Sequence, residues 1–428
     1  MWIESKQLSR RQFFTWGTGT LAALWAVRGR AESMNASGTT LILGGGFGGI
    51  VTARLLRGAL PASHKIQLIS QSRTFQIGAT KTWVMLDLVS PESVTRSLDV
   101  LGKSGIEVLN TDIQKIDPES LTVTTAAGNL RGDYLVIALG AGLDMSAVPG
   151  LKEAAETFYT RDGAVRLRGV LKEFQGGRIV LLIPKLPFQC PPGPYEAAML
   201  LGSHLRERGL SDKTTIEIHT VEKSPMATAG PEIGAFIKDR LAERGIGYFP
   251  QTQVARVDGA SKSVVTSDER SIPYDLLIAI PPHNAPAAVR DSGLCGASGW
   301  VAADSQTLEM AASPKAGRVF AVGDVNSVAL PGRHAPDVPL VLPKAGVFAE
   351  RQGMVAAGRI AAHVLGREPE EIFGGEGFCY IELGSGQALR GDGNFFALPR
   401  PTMTPSESSA ALLAEKRAWV DGWMAKYL

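Results

Sequence analysis

A glycine-rich turn between a strand and a helix constrains the fold of this chain most. Thr39–Leu43 is an apolar run typical of a buried strand, Gly44–Gly49 follows it with the pattern GxGxxG, and Ile50–Leu60 is expected to be a helix. The glycines of the pattern are Gly44, Gly46 and Gly49. They permit a tight turn, close approach of a pyrophosphate and close packing of helix on strand. The sequence therefore predicts a dinucleotide-binding α/β unit.

The second strand of this unit, Lys65–Ile69, is expected to end in an acid that binds ribose hydroxyls. Ser70 and Gln71 stand there instead. A serine hydroxyl forms a weaker hydrogen bond to ribose than a carboxylate does. We predict that Ser70 takes this role.

Further strand patterns complete the first unit and indicate a second unit of the same kind between them. Asp133–Ala141 is an apolar strand that ends at Gly140, and Gly317–Asp324 is another that ends in Gly323-Asp324. Between them, strands and a helix repeat the alternating pattern of a parallel sheet. We predict an α/β fold with two Rossmann-like dinucleotide-binding domains and a small C-terminal domain. Its parts are a first domain (38–160 and 286–366), a second domain (161–285) and a C-terminal unit (367–428).

The turn of the second domain lacks the glycines of a nucleotide site. The predicted strand Arg178–Ile183 leads into a helix expected to begin near Tyr195. The prolines between them are Pro184, Pro187, Pro191, Pro192 and Pro194. Each proline removes an N–H donor and blocks close backbone approach, so a nicotinamide dinucleotide fits poorly here. What this turn offers is the thiol of Cys190.

The N-terminal region carries a targeting pattern. Residues 9–14 read SRRQFF, and a mildly apolar run, Trp16–Val27, follows. That run is short of the roughly 20 apolar residues that span a bilayer. We interpret residues 1–37 as a twin-arginine signal for export of a folded protein to the periplasm. The alternative is a basic leader or a wrongly assigned start.

Composition excludes several classes of partner. The formal net charge of +2 gives no basic footprint for nucleic acid. Three cysteines and six histidines, without a CxxC or CxxCH pattern, indicate neither a zinc ribbon nor covalent c-type haem, and we predict no metal site.

Two segments near the C-terminus complete the pattern. Pro343-Lys344-Ala345-Gly346 precedes an expected amphipathic helix, Val347–Leu365. The last helix carries an apolar stripe of Leu412, Leu413, Trp419, Val420, Trp423, Tyr427 and Leu428. This stripe is either buried in the core or a subunit contact, or it touches a membrane surface.

Taken together, these motifs resemble the sulfide:quinone oxidoreductase and flavocytochrome c sulfide dehydrogenase family. The resemblance extends over about Thr39 to Leu398. Its most specific pieces are residues 190–196 (CPPGPYE) and 378–380 (FCY). Gly323-Asp324, residues 343–346, Phe75-Gln76 and Trp83 support it.

The resemblance implies FAD and a redox pair formed by Cys190 and Cys379. Sulfide or a related sulfane sulfur would attack their disulfide, leave a persulfide, and deliver two electrons to FAD. Asp324 would bind the flavin ribityl chain, and Gly140 would close the first half of the FAD domain. By its position, Lys344 either adds to the positive charge of the following helix N-terminus where that end faces the flavin, or is a solvated lysine beside a turn. The simpler alternative is that both cysteines are buried core residues, which is how we interpret Cys295.

The sequence leaves two alternatives for the role of Glu196 and two for the electron acceptor. By position Glu196 either moves protons for sulfide or is a first-turn acid favoured by the helix dipole. The stretch Arg73–Trp83 has no cysteine, so the resemblance implies non-covalent FAD, as in the quinone-reducing branch. The export signal and Cys379-Tyr380 resemble the flavocytochrome branch, so either a c-type cytochrome or a quinone is the acceptor. The competing functions are an NAD(P)H-dependent flavoprotein reductase and a non-catalytic flavoprotein subunit.

Overall fold

The computed structural model of the chain describes residues 36–311 and 313–428. Nearly all of the predicted twin-arginine region lies outside these ranges. The strands are, in chain order, β1 (Gly38–Leu43), β2 (His64–Ser70), β3 (Thr74–Gln76), β4 (Thr95–Ser97), β5 (Glu107–Asn110), β6 (Ile113–Asp117), β7 (Thr122–Thr125), β8 (Gly128–Arg131), β9 (Tyr134–Ile137), β10 (Gly142–Leu143), β11 (Gly177–Ile183), β12 (Thr214–Thr220), β13 (Gly247–Phe249), β14 (Val254–Asp258), β15 (Ser263–Thr266), β16 (Ser271–Pro273), β17 (Leu276–Ala279), β18 (His283–Asn284), β19 (Val301–Ala302), β20 (Val319–Ala321), β21 (Asn326–Ser327), β22 (Glu376–Gly384), β23 (Gln387–Asn394) and β24 (Thr402–Pro405).

The α-helices are α1 (Phe47–Ala59), α2 (Lys81–Met85), α3 (Leu151–Ala154), α4 (Arg161–Glu173), α5 (Gly193–Glu207), α6 (Pro231–Ala242), α7 (Ala287–Asp291), α8 (Gly346–Val364) and α9 (Ala410–Tyr427). Several begin earlier than the sequence pattern indicates. Helix α1 begins at Phe47 rather than Ile50, because the last glycines of the motif already have helical geometry and Gly46 is the N-cap.

Two parallel sheets form the centres of the molecule. In the first, the strand order is β20-β9-β1-β2-β5, and in the second it is β13-β12-β11-β17. Such sheets are covered on both faces, which is why β1 and β11 read as apolar runs. Strand β20 comes from a later part of the chain and joins the first sheet beside β9. The predicted α/β fold with two dinucleotide-binding domains is confirmed.

The C-terminal unit is an antiparallel sheet, β22-β23-β24, followed by α9. The apolar stripe of α9 lies mainly in the core, since Val420, Trp423 and Tyr427 are buried. The Trp423 ring lies 4.7 Å from that of Phe47 and 5.0 Å from that of Phe75. These three buried side chains are therefore core residues and do not face a membrane. Among the described helices, none has the length and apolar character needed to cross a bilayer.

Candidate active site

The first glycine motif forms a cradle that opens on a cavity of about 640 Å³. Gly44 has φ +116°, and a Cβ there would lie 2.3 Å from the carbonyl oxygen of Ala138. A Cβ on Gly49 would lie 1.9 Å from the Gly44 carbonyl oxygen, so both positions exclude a side chain. Gly46 lines the cavity, and a Cβ added there would meet no neighbouring atom within 4 Å. This open space at the N-terminus of α1 fits a dinucleotide pyrophosphate.

Ser70 lies at the end of β2, close to this cradle. Its hydroxyl donates to the carbonyl oxygen of Ser72 over 2.9 Å. A Cβ on Gly45 would lie 2.8 Å from the Ser70 hydroxyl oxygen, so the two are in close contact. The Ser70 proton is thus used in the turn, and the oxygen keeps its capacity to accept a bond. Its role at a ribose remains a prediction.

The residues predicted for the flavin end line the same cavity. These residues are Gly140, Gly323, Asp324 and Lys344. Gly323 has φ +76°, and its N–H donates to the Gln352 side chain over 2.6 Å. Asp324 accepts a 2.6 Å hydrogen bond from the Gln189 amide nitrogen. Burial raises the pKa of Asp324, and the Lys344 charge opposes that rise.

Lys344 is held by backbone carbonyls just before α8. Its Nζ donates to the carbonyl oxygens of Asp324 (2.6 Å) and Asn326 (3.2 Å). It also lies 3.4 Å from the centre of the Trp300 ring. Burial lowers the Lys344 pKa to about 8. The N-terminus of α8, from Ala345 onward, faces the cavity with its partial positive charge.

Cys190 occupies a strained turn where the two domains meet. Its φ is +55°, a region that non-glycine residues rarely adopt. Its N–H donates to the Lys344 carbonyl oxygen over 2.8 Å, and its own carbonyl accepts from Gly193 N–H over 2.7 Å. These two bonds hold the turn in place despite the strain.

Both predicted redox cysteines line this one cavity, and both are free thiols. Cys379 lies on β22 opposite Gly391 of β23. Burial raises the pKa of each thiol to about 12, although Cys190 keeps accessible surface where it faces the cavity. A charge on Cys190 raises the Cys379 pKa further, which places the two sulfurs within electrostatic reach. Cys295 does not line the cavity.

Glu196 belongs to a buried cluster of charges. Its carboxylate lies 2.9 Å from Lys416 Nζ and accepts the N–H of Glu382 over 3.0 Å. Lys416 also contacts the Glu382 carboxylate at 2.6 Å, and Trp83 donates to that same carboxylate. Burial raises the Glu196 pKa, whereas the Lys416 charge lowers it. Lys416 lines the cavity and Glu196 does not.

Sequence reasoning missed Lys416, Glu382 and several other residues around Cys190. Tyr159 donates its hydroxyl to the Gln189 carbonyl over 2.9 Å. His283 bonds the Pro281 carbonyl through Nδ1, and burial lowers its pKa to about 4, so it is neutral. No spacing pattern marks these residues, because they come from separate elements.

A tyrosine–glutamate pair occupies the end of the second sheet. The Tyr195 hydroxyl donates to the Glu222 carboxylate, which also accepts from Thr220 over 3.2 Å. Glu222 follows β12, the second strand, where a ribose-binding acid stands in nucleotide-binding domains. Burial raises its pKa to about 7. This acid is thus engaged by the protein itself.

Comparison with known proteins agrees with the fold. A family model described as pyridine nucleotide-disulphide oxidoreductase matches residues 38–181. A second, described as the central part of the sulfide dehydrogenase [flavocytochrome c] flavoprotein chain, matches residues 165–281. Fold and site define an oxidoreductase of the flavoprotein class with two dinucleotide-binding domains.

The chain is also similar to individual proteins of this class. A sulfide-quinone reductase of Aquifex aeolicus is 27% identical over 377 residues, covering 86% of this chain and 84% of the relative. The mitochondrial sulfide:quinone oxidoreductase of Mus musculus is 24% identical over 303 residues, which cover 67% of this chain and 65% of the relative. The X-ray structure of the Aquifex aeolicus sulfide:quinone oxidoreductase matches with a TM-score of 0.80 at 24% identity, covering 91% of each chain. Over most of its length the chain is therefore similar to the sulfide:quinone oxidoreductases, and over residues 165–281 it is similar to the sulfide dehydrogenase [flavocytochrome c] flavoprotein chain.

Proposed function

We propose that this protein oxidises sulfide, or a related sulfane sulfur, through a redox pair formed by Cys190 and Cys379. The observation that carries the proposal is that both thiols line the same cavity as the glycine cradle. The sulfide-oxidising relatives named above support the substrate.

The first chemical step is a thiol–disulfide exchange. Hydrosulfide attacks one sulfur of a Cys190–Cys379 disulfide, a new S–S bond forms, and the disulfide bond breaks. One cysteine then carries a persulfide and the other is a thiolate. The substrate sulfur is oxidised by two electrons, and the disulfide takes up that pair. Bound FAD would supply a two-electron acceptor in the same cavity.

The residues of this chain fit FAD without a covalent bond. The first and third glycines of the motif permit the turn, and Gly46 leaves room for the pyrophosphate. Asp324 and Lys344 offer polar groups at the opposite end of the cradle. The segment Arg73–Trp83 contains no cysteine that could bond to the flavin.

Glu196 acts on this chemistry mainly through its charge. It does not line the cavity, but its carboxylate raises the pKa of the Cys190 thiol. Lys416 opposes that effect. The pair therefore sets how easily a Cys190 thiolate exists in the cavity.

An NAD(P)H-dependent reductase is the competing enzyme. Solved structures with the same fold include an NAD-dependent persulfide reductase from A. fulgidus, matched at a TM-score of 0.63 and 17% identity. Against this alternative, the prolines of the turn remove N–H donors, the Cys190 and Gly193 N–H groups are bonded within the protein, and Glu222 is bonded to Tyr195. A non-catalytic flavoprotein subunit is the third candidate, and the presence of two thiols in one cavity argues against it.

For the electron acceptor we favour a quinone. Aromatic and apolar side chains line the cavity beside Cys379, among them Phe378, Tyr380, Phe395 and Trp419. Flat rings of this kind suit a quinone head group, and the relatives named above carry quinone in their names. A c-type cytochrome remains the second candidate, supported by the family match over residues 165–281.

We also propose a periplasmic location for the protein. The pattern in residues 9–14 supports it. Replacing Arg10 and Arg11 by lysine is expected to retain the protein in the cytoplasm, and cell fractionation measures this. Unchanged export of the variant would contradict the signal.

The deciding experiment is anaerobic titration of the purified holoprotein with sulfide, with the flavin absorbance recorded. Sulfide is expected to bleach the flavin, and Cys190→Ser and Cys379→Ser should each abolish the bleaching. Cys295→Ser is the matched control and should behave as wild type. Bleaching by NADH in place of sulfide would overturn the proposal, and a flavin that neither compound reduces would favour the non-catalytic subunit.

A further inference from the structure

A half-buried lysine with no acidic partner lines the same cavity as Cys190. Lys81 is the first residue of α2 and lines the same cavity as Cys190. Its Nζ donates to the backbone carbonyl of Tyr159 over 2.5 Å. That is its one hydrogen bond among the described residues, and an ammonium group has three protons to donate.

The other lysines that line this cavity are compensated. Lys416 contacts the carboxylates of Glu196 and Glu382. Lys344 lies in the field of Asp324, which raises its pKa. For Lys81, within the described parts of the chain, no carboxylate lies within ion-pair distance, and the one charge that would raise its pKa is that of a Cys190 thiolate.

Tyr159 connects Lys81 to the Cys190 turn. The carbonyl oxygen of Tyr159 accepts from Lys81, and its hydroxyl donates to the carbonyl of Gln189, the residue before Cys190. A Cβ on Gly193 would lie 3.4 Å from both the Tyr159 hydroxyl oxygen and the Cys190 sulfur. Lys81 and Cys190 therefore line the same cavity, and Tyr159, which is not part of its lining, joins them from behind.

The positive charge of Lys81 does not stabilise the folded protein. A buried cation without an acidic partner costs free energy, and burial lowers the Lys81 pKa to about 8. At neutral pH the group still carries most of its charge. A cationic group that faces a cavity and lacks a counterion is suited to bind an anion.

We propose that Lys81 and Cys190 form a subsite for small anionic sulfur, so that sulfide is bound as hydrosulfide beside Cys190. The inference rests on the proposed function and deepens it, because it names the residue that binds the hydrosulfide anion. Neutral His283 does not supply this charge, Lys416 is paired with two carboxylates, and Lys344 is bonded to two backbone carbonyls.

The test compares a charged and a neutral probe at the same thiol. The holoprotein, with Cys379→Ser to prevent a disulfide, is alkylated with iodoacetate and with iodoacetamide, and modification of Cys190 and Cys295 is measured by mass spectrometry. The ratio of the two rates reports the local charge, whereas a general change in reactivity moves both rates together. Cys295 is the internal control because it does not line the cavity.

Lys81→Gln removes the charge and can still bond to Tyr159, whereas Lys81→Arg retains the charge. The iodoacetate-to-iodoacetamide ratio at Cys190 is expected to fall roughly tenfold in Lys81→Gln, the effect of one nearby charge in a partly screened site. Lys81→Arg should keep the ratio, and Lys81→Met is the second neutral variant. An unchanged ratio in both neutral variants would overturn the subsite.

The result separates this inference from the proposed function. If the ratio falls but sulfide does not bleach the wild-type flavin, the anion subsite stands and sulfide is the wrong substrate. If sulfide bleaches the flavin but the ratio is unchanged, the sulfide proposal stands and Lys81 does not bind the anion.

Discussion

The backbone N–H of Cys190 donates to the carbonyl oxygen of Lys344 over 2.8 Å. This hydrogen bond joins the proline-rich turn of the second domain to the segment before α8 in the first. Beside it, Gln189 reaches Asp324 at 2.6 Å. The thiol and the predicted flavin ligands are therefore placed by the same domain contact.

The glycine cradle gives the first prediction. Gly46→Ala should fold normally but weaken FAD binding tenfold or more, because the new methyl group enters space meant for the pyrophosphate at a cost of about 1–3 kcal/mol. Gly49→Ala should lower the melting temperature, because its methyl group meets the Gly44 carbonyl oxygen. Gly58→Ala, in the same helix with open space around it, is the control. Flavin titration and thermal unfolding measure the two effects; equal FAD affinity in Gly46→Ala and wild type would contradict the assignment.

The contact between Gln189 and Asp324 gives the second prediction. Gln189→Ala should destabilise the protein by about 1–3 kcal/mol, because it leaves the partly buried Asp324 carboxyl group without its donor. It should also weaken FAD binding, which the apoprotein reports by flavin fluorescence. The exposed Gln175→Ala is the matched control. If both variants have the same stability and FAD affinity, the contact between Gln189 and Asp324 contributes to neither.

The buried charge cluster gives the third. Lys416→Met should lower the free energy of unfolding by about 3–5 kcal/mol, because it leaves Glu196 and Glu382 buried without a counterion. Denaturation with urea measures this. Lys172→Met, which breaks an exposed ion pair with Asp87, should cost less than about 1 kcal/mol. A similarly small loss for Lys416→Met would mean that the cluster does not depend on the Lys416 charge.

Glu222 gives a pH-dependent prediction. Its folded-state pKa, about 7, lies above its ordinary value of 4.5, so the folded protein holds this proton more tightly than the unfolded chain. The resulting stabilisation is fully present below about pH 4.5 and is lost as the pH rises to about 7. Glu222→Gln should remove this contribution, which has a slope of about 1.4 kcal/mol per pH unit. Unfolding free energies of both proteins across this range provide the comparison, and parallel curves would be the contrary result.

Much of the fold could be predicted from sequence because its signals are local. The GxGxxG turn, the apolar strands and the Gly323-Asp324 strand end each depend on residues a few positions apart. The boundaries were less accurate, as at α1, because glycine near a helix start is compatible with either conformation. The apolar stripe of α9 was correctly detected, but periodicity alone did not decide between membrane and core.

The residue types that carry the proposed chemistry were set by sequence alone. A cysteine in a turn of prolines, a second cysteine before a tyrosine and a glycine-rich cradle are all visible in the chain. Only the tertiary structure decided which side chains surround them. Lys416 meets Glu196 across 220 positions, and Lys81 meets Tyr159 across 78. The physical reason is that sterics and backbone hydrogen bonds act over a few residues, whereas burial and charge pairing depend on how separate domains pack.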